Sequence, residues 1–178
     1  MPKTQVKIAY DANTIYVIFH VNDRYVRAVA QKYQDQVCSD SCVEFFFTPG
    51  NDVSEGYFNI EMNCGGVTLF HFQKKPRRDS IKIAKNDYIR MRIAHSLPEM
   101  VDPEIKESVT WTVEYSLPIA VLENYCSVIK PKQGVIWRAN FYKCGDKTSH
   151  LHWLTWSFVD FPKPDFHLPD FFGALEFE

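Results

Sequence analysis

The residues best suited to chemistry sit in three segments whose side chains alternate between two faces. In 42–48, Cys42, Glu44 and Phe46 alternate with Val43, Phe45 and Phe47. In 57–64, Tyr57, Asn59, Glu61 and Asn63 alternate with Phe58, Ile60, Met62 and Cys64. In 135–144, Ile136, Arg138, Asn140 and Tyr142 alternate with Val135, Trp137, Ala139 and Phe141. The second set of each is apolar and reads as core. The first set carries carboxylates, amides, a guanidinium and phenols, with few lysines. Donors and acceptors packed that closely suit a ligand rich in hydroxyls, such as a sugar. The alternative is that these groups satisfy one another across neighbouring strands.

Strands are the elements that must position such groups. Ile15, Val17, Phe19 and Val21 alternate with polar or exposed positions, as do Trp111, Val113, Tyr115 and Leu117, the period-two mark of a half-buried strand. Further strands are predicted at 5–10, 41–48, 56–64, 67–72, 88–95, 134–144, 152–158 and 172–178. Gly65-Gly66 between two of them reads as a two-residue hairpin loop. One short helix is predicted near Pro118–Tyr125. Residues 73–87 and 96–108 read as polar connections. Three prolines between Phe161 and Pro169 exclude a regular central strand there and predict a loop laid over the fold. The expected architecture is all-β, an antiparallel two-sheet β-sandwich of jelly-roll type, with residues 1–178 forming one domain.

Composition narrows the function classes. Apolar residues make up 46% of the 178, which argues against disorder. Aromatics reach 15%, and such rings serve both strands and sugar stacking. A net charge of −2 supplies no field for a phosphate backbone, so no nucleic-acid partner is expected. No apolar run approaches the roughly 20 residues that span a bilayer, so no membrane partner is expected. Residues 1–10 lack the apolar core of a signal peptide; the expected compartment is secreted or periplasmic if a leader has been removed, and otherwise cytoplasmic. Cys38, Cys42, Cys64, Cys126 and Cys144 are odd in number and irregular in spacing, which predicts free thiols. Oligomeric state is not legible.

Other chemistries fare less well. His150 and His152 alternate near Cys144 and Asp146, but two histidines fall short of the three or four ligands of a zinc site, and no metal ligands are assigned. Lys74–Arg78 reads as a solvated basic loop. There is no nucleophile elbow and no phosphate loop. Glu44 and Glu61 meet the carboxylate separation of a glycosidase, roughly 5 to 10 Å, but strand neighbours do so trivially. No catalytic residue is assigned.

Several segments together resemble a known family. Asp40-Ser41-Cys42-Val43-Glu44-Phe45-Phe46-Phe47 resembles the Asp-x-x-Val-Glu-Phe-Phe strand of carbohydrate-binding family 9-like domains, which are DOMON-related β-sandwiches. Gly56–Asn63, Trp137–Asp146, Trp156-Ser157 and Phe171–Phe177 are similar to the later segments of that family, in the same order. The resemblance runs from about Val6 to Glu178. Related domains begin with further residues before the position of Val6, so a first strand is expected to be absent or cut short. The resemblance implies a non-catalytic module that binds an oligosaccharide or polysaccharide as an accessory to polysaccharide breakdown. It implies a sugar held between two tryptophans, with hydrogen bonds around its rim. Trp156 matches the second tryptophan, and Glu44 and Arg138 match polar contacts. The position of the first tryptophan is Cys38 here, which leaves Trp153 as the ring for the second wall. The expected binding set is therefore Glu44, Asn59, Arg138, Asn140, Trp153 and Trp156. No cofactor is expected; a structural calcium is the one ion the resemblance implies, and no acidic loop names its ligands. Two alternatives stand beside this reading. One is a structural or interaction module without sugar binding. The other is a DOMON-type haem domain, with Met62 or Met91 and His71 or His95 as axial ligands.

Overall fold

The computed structural model describes residues 1–178. The chain folds in order into β1 (Lys3–Tyr10), β2 (Thr14–Asp23), β3 (Val26–Ala28), β4 (Cys42–Thr48), β5 (Tyr57–Asn63), β6 (Thr68–Lys75) and β7 (Asp79–Lys82). Helix α1 (Lys85–Tyr88), β8 (Arg92–His95), β9 (Val101–Ile105), β10 (Val109–Pro118) and helix α2 (Ile119–Leu122) follow. The chain closes with β11 (Ile136–Cys144), β12 (Trp153–Thr155) and β13 (Gly173–Glu176). One sheet runs β1-β2-β10-β8. The larger runs β12-β11-β4-β5-β6-β7, with β13 sharing the edge of β11 that β12 occupies further along. A small β3-β9 pair completes the antiparallel set. No helix is long and apolar enough to cross a membrane.

The apolar alternation decides how the sheets face. Ile15, Val17, Phe19 and Val21 of β2 and Trp111, Val113, Tyr115 and Leu117 of β10 are buried against Phe45, Phe47, Phe58, Ile60, Trp137 and Phe141. Cross-strand register stacks the rings: Phe45 on Phe141 with centroids 4.8 Å apart, and Phe47 on Trp137 at 5.4 Å. Each fully buried ring of this kind contributes about 1.5–3 kcal/mol relative to exposure. A one-residue slip would expose the whole set, so the register is held firmly.

Several boundaries differ from expectation. The hairpin after β5 has a three-residue loop, closed by Asn63 N–H to Val67 O at 3.0 Å. Gly66 takes φ +84 at its end, where a side chain would be strained. Residues 73–87 hold the end of β6, the twisted edge strand β7 and α1, and 96–108 holds β9; their polar composition hid edge strands that need only one apolar side. The expected helix is α2, which starts directly after Pro118.

One buried polar group was not legible as such. Lys143 points into the interior from β11, its side chain 1% exposed. Its ammonium forms an ion pair with Asp23 Oδ2 at 3.0 Å and hydrogen-bonds His152 Nε2 at 2.8 Å and Cys144 O at 2.9 Å. His152 Nδ1–H donates to His150 O, which leaves Nε2 as the acceptor for Lys143. Burial, and secondarily the Lys143 charge, pull the His152 pKa down and keep the ring neutral. This engages both nitrogens of His152 and separates it from the Cys144 thiol. Removing one partner of such a buried pair strands the other charge. Asp23→Ala should therefore cost about 3–5 kcal/mol in urea unfolding; a loss below about 1 kcal/mol would show that the pair is dispensable.

Candidate functional site

The outer face of the larger sheet carries the polar set, and the register lays it out in rows. Tyr142, Glu44, Glu61 and Leu69 are successive partners across β11, β4, β5 and β6. Asn140, Phe46, Asn59 and His71 form the next row. Cys144, Cys42 and Asn63 form another. The face is not open along its length. The proline-containing loop crosses it, with Phe166 stacked on Tyr142 at 4.1 Å and Phe172 edge-on to Tyr57 at 5.5 Å. Tyr57 OH and His167 Nδ1, 2.8 Å apart, tie the loop to β5. Asp165 accepts from Arg77 at 2.7 Å, tying it to the β6–β7 turn.

What stays open is a cleft of about 370 Å³. Its floor is Glu44, Phe46, Asn59, Glu61, His71 and Gln73; Cys38, Cys144, Asp146 and Trp153 line one side, and Arg77, Asp165, Phe166 and His167 the other. Amides chain the floor together: Gln73 Nε2 donates to Asn59 Oδ1 at 3.1 Å, and Asn59 Nδ2 donates to Glu61 Oε1 at 2.9 Å. Two buried atoms at the cleft have no protein partner, Gln73 Oε1 and His71 Nε2. Trp153 stands at the rim, 41% exposed, its indole N–H held by Asp146 Oδ1 at 3.0 Å.

Of the six expected binding residues, Glu44, Asn59 and Trp153 line this cleft and Arg138, Asn140 and Trp156 do not. Arg138 and Asn140 are on the anticipated face but under the loop. Arg138 donates to Phe172 O. Asn140 spends its amide on backbone, donating to Ser157 O at 3.0 Å and accepting from Ser157 N at 2.8 Å and Phe141 N at 2.9 Å. Trp156 fails for a simpler reason. Trp153 is paired with Cys144, whereas Trp156 follows Thr155, the partner of Tyr142. Residues three apart in an extended chain point to opposite sides. Trp156 accordingly sits edge-on to Phe141 at 5.5 Å and against Gly173, where an added Cβ would lie 2.7 Å from its ring. The cleft also gains residues outside the expected set: Gln73, His71, Asp146, Arg77 and His167. His71 and Gln73 share the parity of Leu69 on a predicted strand, a signal that sequence does contain; the loop residues carried none.

The carboxyl groups are strongly perturbed. Glu44 and Glu61 face each other directly and are both buried. Burial first, and then the neighbouring Glu61, raise the pKa of Glu44 well above the carboxylate range. Burial also raises Glu61, to about 7, against the opposing effect of the Asn59 hydrogen bond. Burial lowers His71, and takes His167 to about 4, so both rings are neutral at pH 7. The cleft thus presents neutral amides and imidazoles beside a ring, with Arg77, Asp146 and Asp165 at its sides. Met62 and Met91 are packed within the apolar core, and His71 lies on the opposite face of the sheet from Met62.

A sequence model of carbohydrate-binding family 9 matches residues 1–177. The chain belongs to carbohydrate-binding family 9. That family is non-catalytic, and this family 9 chain is not an enzyme. Among solved structures it is similar to a candidate carbohydrate-binding protein from Bacteroides uniformis, at 32% identity and a TM-score of 0.89, covering 99% of this chain and 79% of the other. It shares its fold with a family 9 module of Caldicellulosiruptor kristjanssonii solved with glucose, at 14% identity and a TM-score of 0.61, covering 99% and 77%. The structure of a module from the same organism with cellotriose matches at 14% identity and 0.60, covering 99% and 75%. No curated protein matches the chain.

The raised Glu61 pKa has a defined sign. The folded state holds the proton more tightly than the unfolded chain, so this stability is present below pH 4.5 and lost as pH rises through about 7. Urea unfolding across that range should show wild type losing stability relative to Glu61→Gln, which cannot ionise. A difference that stays flat, or widens in the other direction, would contradict the assignment.

Proposed function

We propose that this family 9 module binds carbohydrate in the cleft of Glu44, Asn59, Glu61, His71, Gln73 and Trp153, as an accessory to polysaccharide breakdown. The observation that carries the reading is the pair of buried, unpartnered atoms, Gln73 Oε1 and His71 Nε2, in a cleft whose opposite side carries an exposed indole. Buried polar atoms without a partner are costly, and a ligand hydroxyl would satisfy them. The C–H face of a sugar at the other side of the cleft would pack on Trp153. The volume is at the low end for ligand pockets, which favours a single sugar or a chain end over a long stretch of polymer. The glucose and cellotriose complexes of the Caldicellulosiruptor modules support a glucan as the first ligand to try.

Calorimetry against glucose, cello-oligosaccharides and a wider glycan panel tests the proposal. Trp153→Ala should weaken binding at least about tenfold, or about 1.4 kcal/mol, once circular dichroism shows that the variant is folded. Trp156→Ala, if folded, should bind like wild type. A folded Trp153→Ala variant with unchanged affinity would move the site elsewhere, and a panel with no ligand would leave the chain as an interaction module.

A further inference from the structure

At the inner end of the cleft, three groups converge that no sugar contact requires. Glu44 Oε1 lies 3.2 Å from Cys144 Sγ and 4.0 Å from Cys42 Sγ. All three candidate ligand atoms lie within 4.8 Å of one another, and all three residues are buried. The convergence follows from the sheet. Cys42 and Glu44 are two apart on β4 and so share a face, and Cys144 is the cross-strand partner of Cys42. Two thiols and a carboxyl are an ordinary zinc donor set. Zinc–sulfur bonds of about 2.3 Å and zinc–oxygen bonds of about 2.1 Å at a tetrahedral angle place neighbouring sulfur and oxygen atoms about 3.6 Å apart. The two sulfur–oxygen separations bracket that value, and the two sulfurs lie within 4.8 Å of each other, against about 3.8 Å in a tetrahedral site.

We propose that Cys42, Cys144 and Glu44 form a three-ligand site for a thiophilic divalent cation, with zinc the best fit, whose fourth position opens on the cleft. Glu44 and Cys144 both line the cleft, so an ion they hold has its free side toward it, where water or a sugar hydroxyl would complete the tetrahedron. Sulfur ligands select zinc and its relatives against calcium and magnesium, which take oxygen alone. Asp146 stands nearby and makes the surroundings favourable to a cation. Each thiol and the Glu44 carboxyl give up their protons to solvent as their metal bonds form. The alternative role for these thiols is packing, as small apolar groups donating weakly to a carboxyl. Sugar binding is not assumed, so the two readings fail separately.

The test uses reduced, chelator-treated wild-type protein that circular dichroism shows to be folded. Titration with Co²⁺ should produce a sulfur-to-cobalt charge-transfer band in the near ultraviolet, which Zn²⁺ then abolishes. After gel filtration with Zn²⁺, wild type and Cys126→Ser should each retain one ion per chain. Cys42→Ser and Cys144→Ser should each bind at least about tenfold more weakly. Absence of the cobalt–thiolate band in the folded, reduced wild type would overturn the proposal without reference to any variant. So would zinc retention that neither serine substitution changes.

Discussion

Everything at the cleft depends on the aromatic stack between the sheets. Phe45, Phe47, Phe58, Trp137 and Phe141 are all within 7% of complete burial, and they come from the three strands that also carry the polar face. Because side chains alternate, locking these rings inward leaves no freedom in what points outward. Glu44 faces Glu61 and Cys42 faces Cys144 because Phe45 faces Phe141 and Ile60. The hydrophobic term is large enough to hold together groups that repel one another or dislike burial.

The outer face is itself mostly buried, and this sets its chemistry. Two carboxyls opposite each other in an open site would ionise and repel. Buried in the floor of the cleft they are desolvated, which shifts both toward the protonated form. The loop is fastened at Tyr57–His167 and Arg77–Asp165, and it seals the Arg138 end while leaving the Glu44 end accessible. One strand pattern therefore yields two environments, one structural and one ligand-accessible.

The sandwich was legible because its signal is local: strict alternation in β2, β4, β5, β10 and β11 survives any uncertainty about their neighbours. The polar face was legible for the same reason, and Glu44 and Asn59 follow from it, whereas Trp153 came in only through the resemblance. Arg138 and Asn140 could not be separated from them, since what removes them from the cleft is chain 34 and 17 residues downstream whose path no periodicity encodes. Trp156 is a different case. Its offset of three from Trp153 already places the two rings on opposite sides of one strand. Lys143 was hidden in plain view on the inward parity of β11, because a lysine at a core position looks like an error until Asp23 and His152 are known to meet it.

The central claim, that sugar binds at the Trp153 cleft, is tested most directly by a crystal structure of the protein with cellotriose. The account predicts a terminal sugar ring against Trp153, with hydroxyls within hydrogen-bonding distance of Gln73 Oε1 and His71 Nε2. A sugar seated on Trp156, on the other side of the strand, with the cleft occupied only by water, would contradict it.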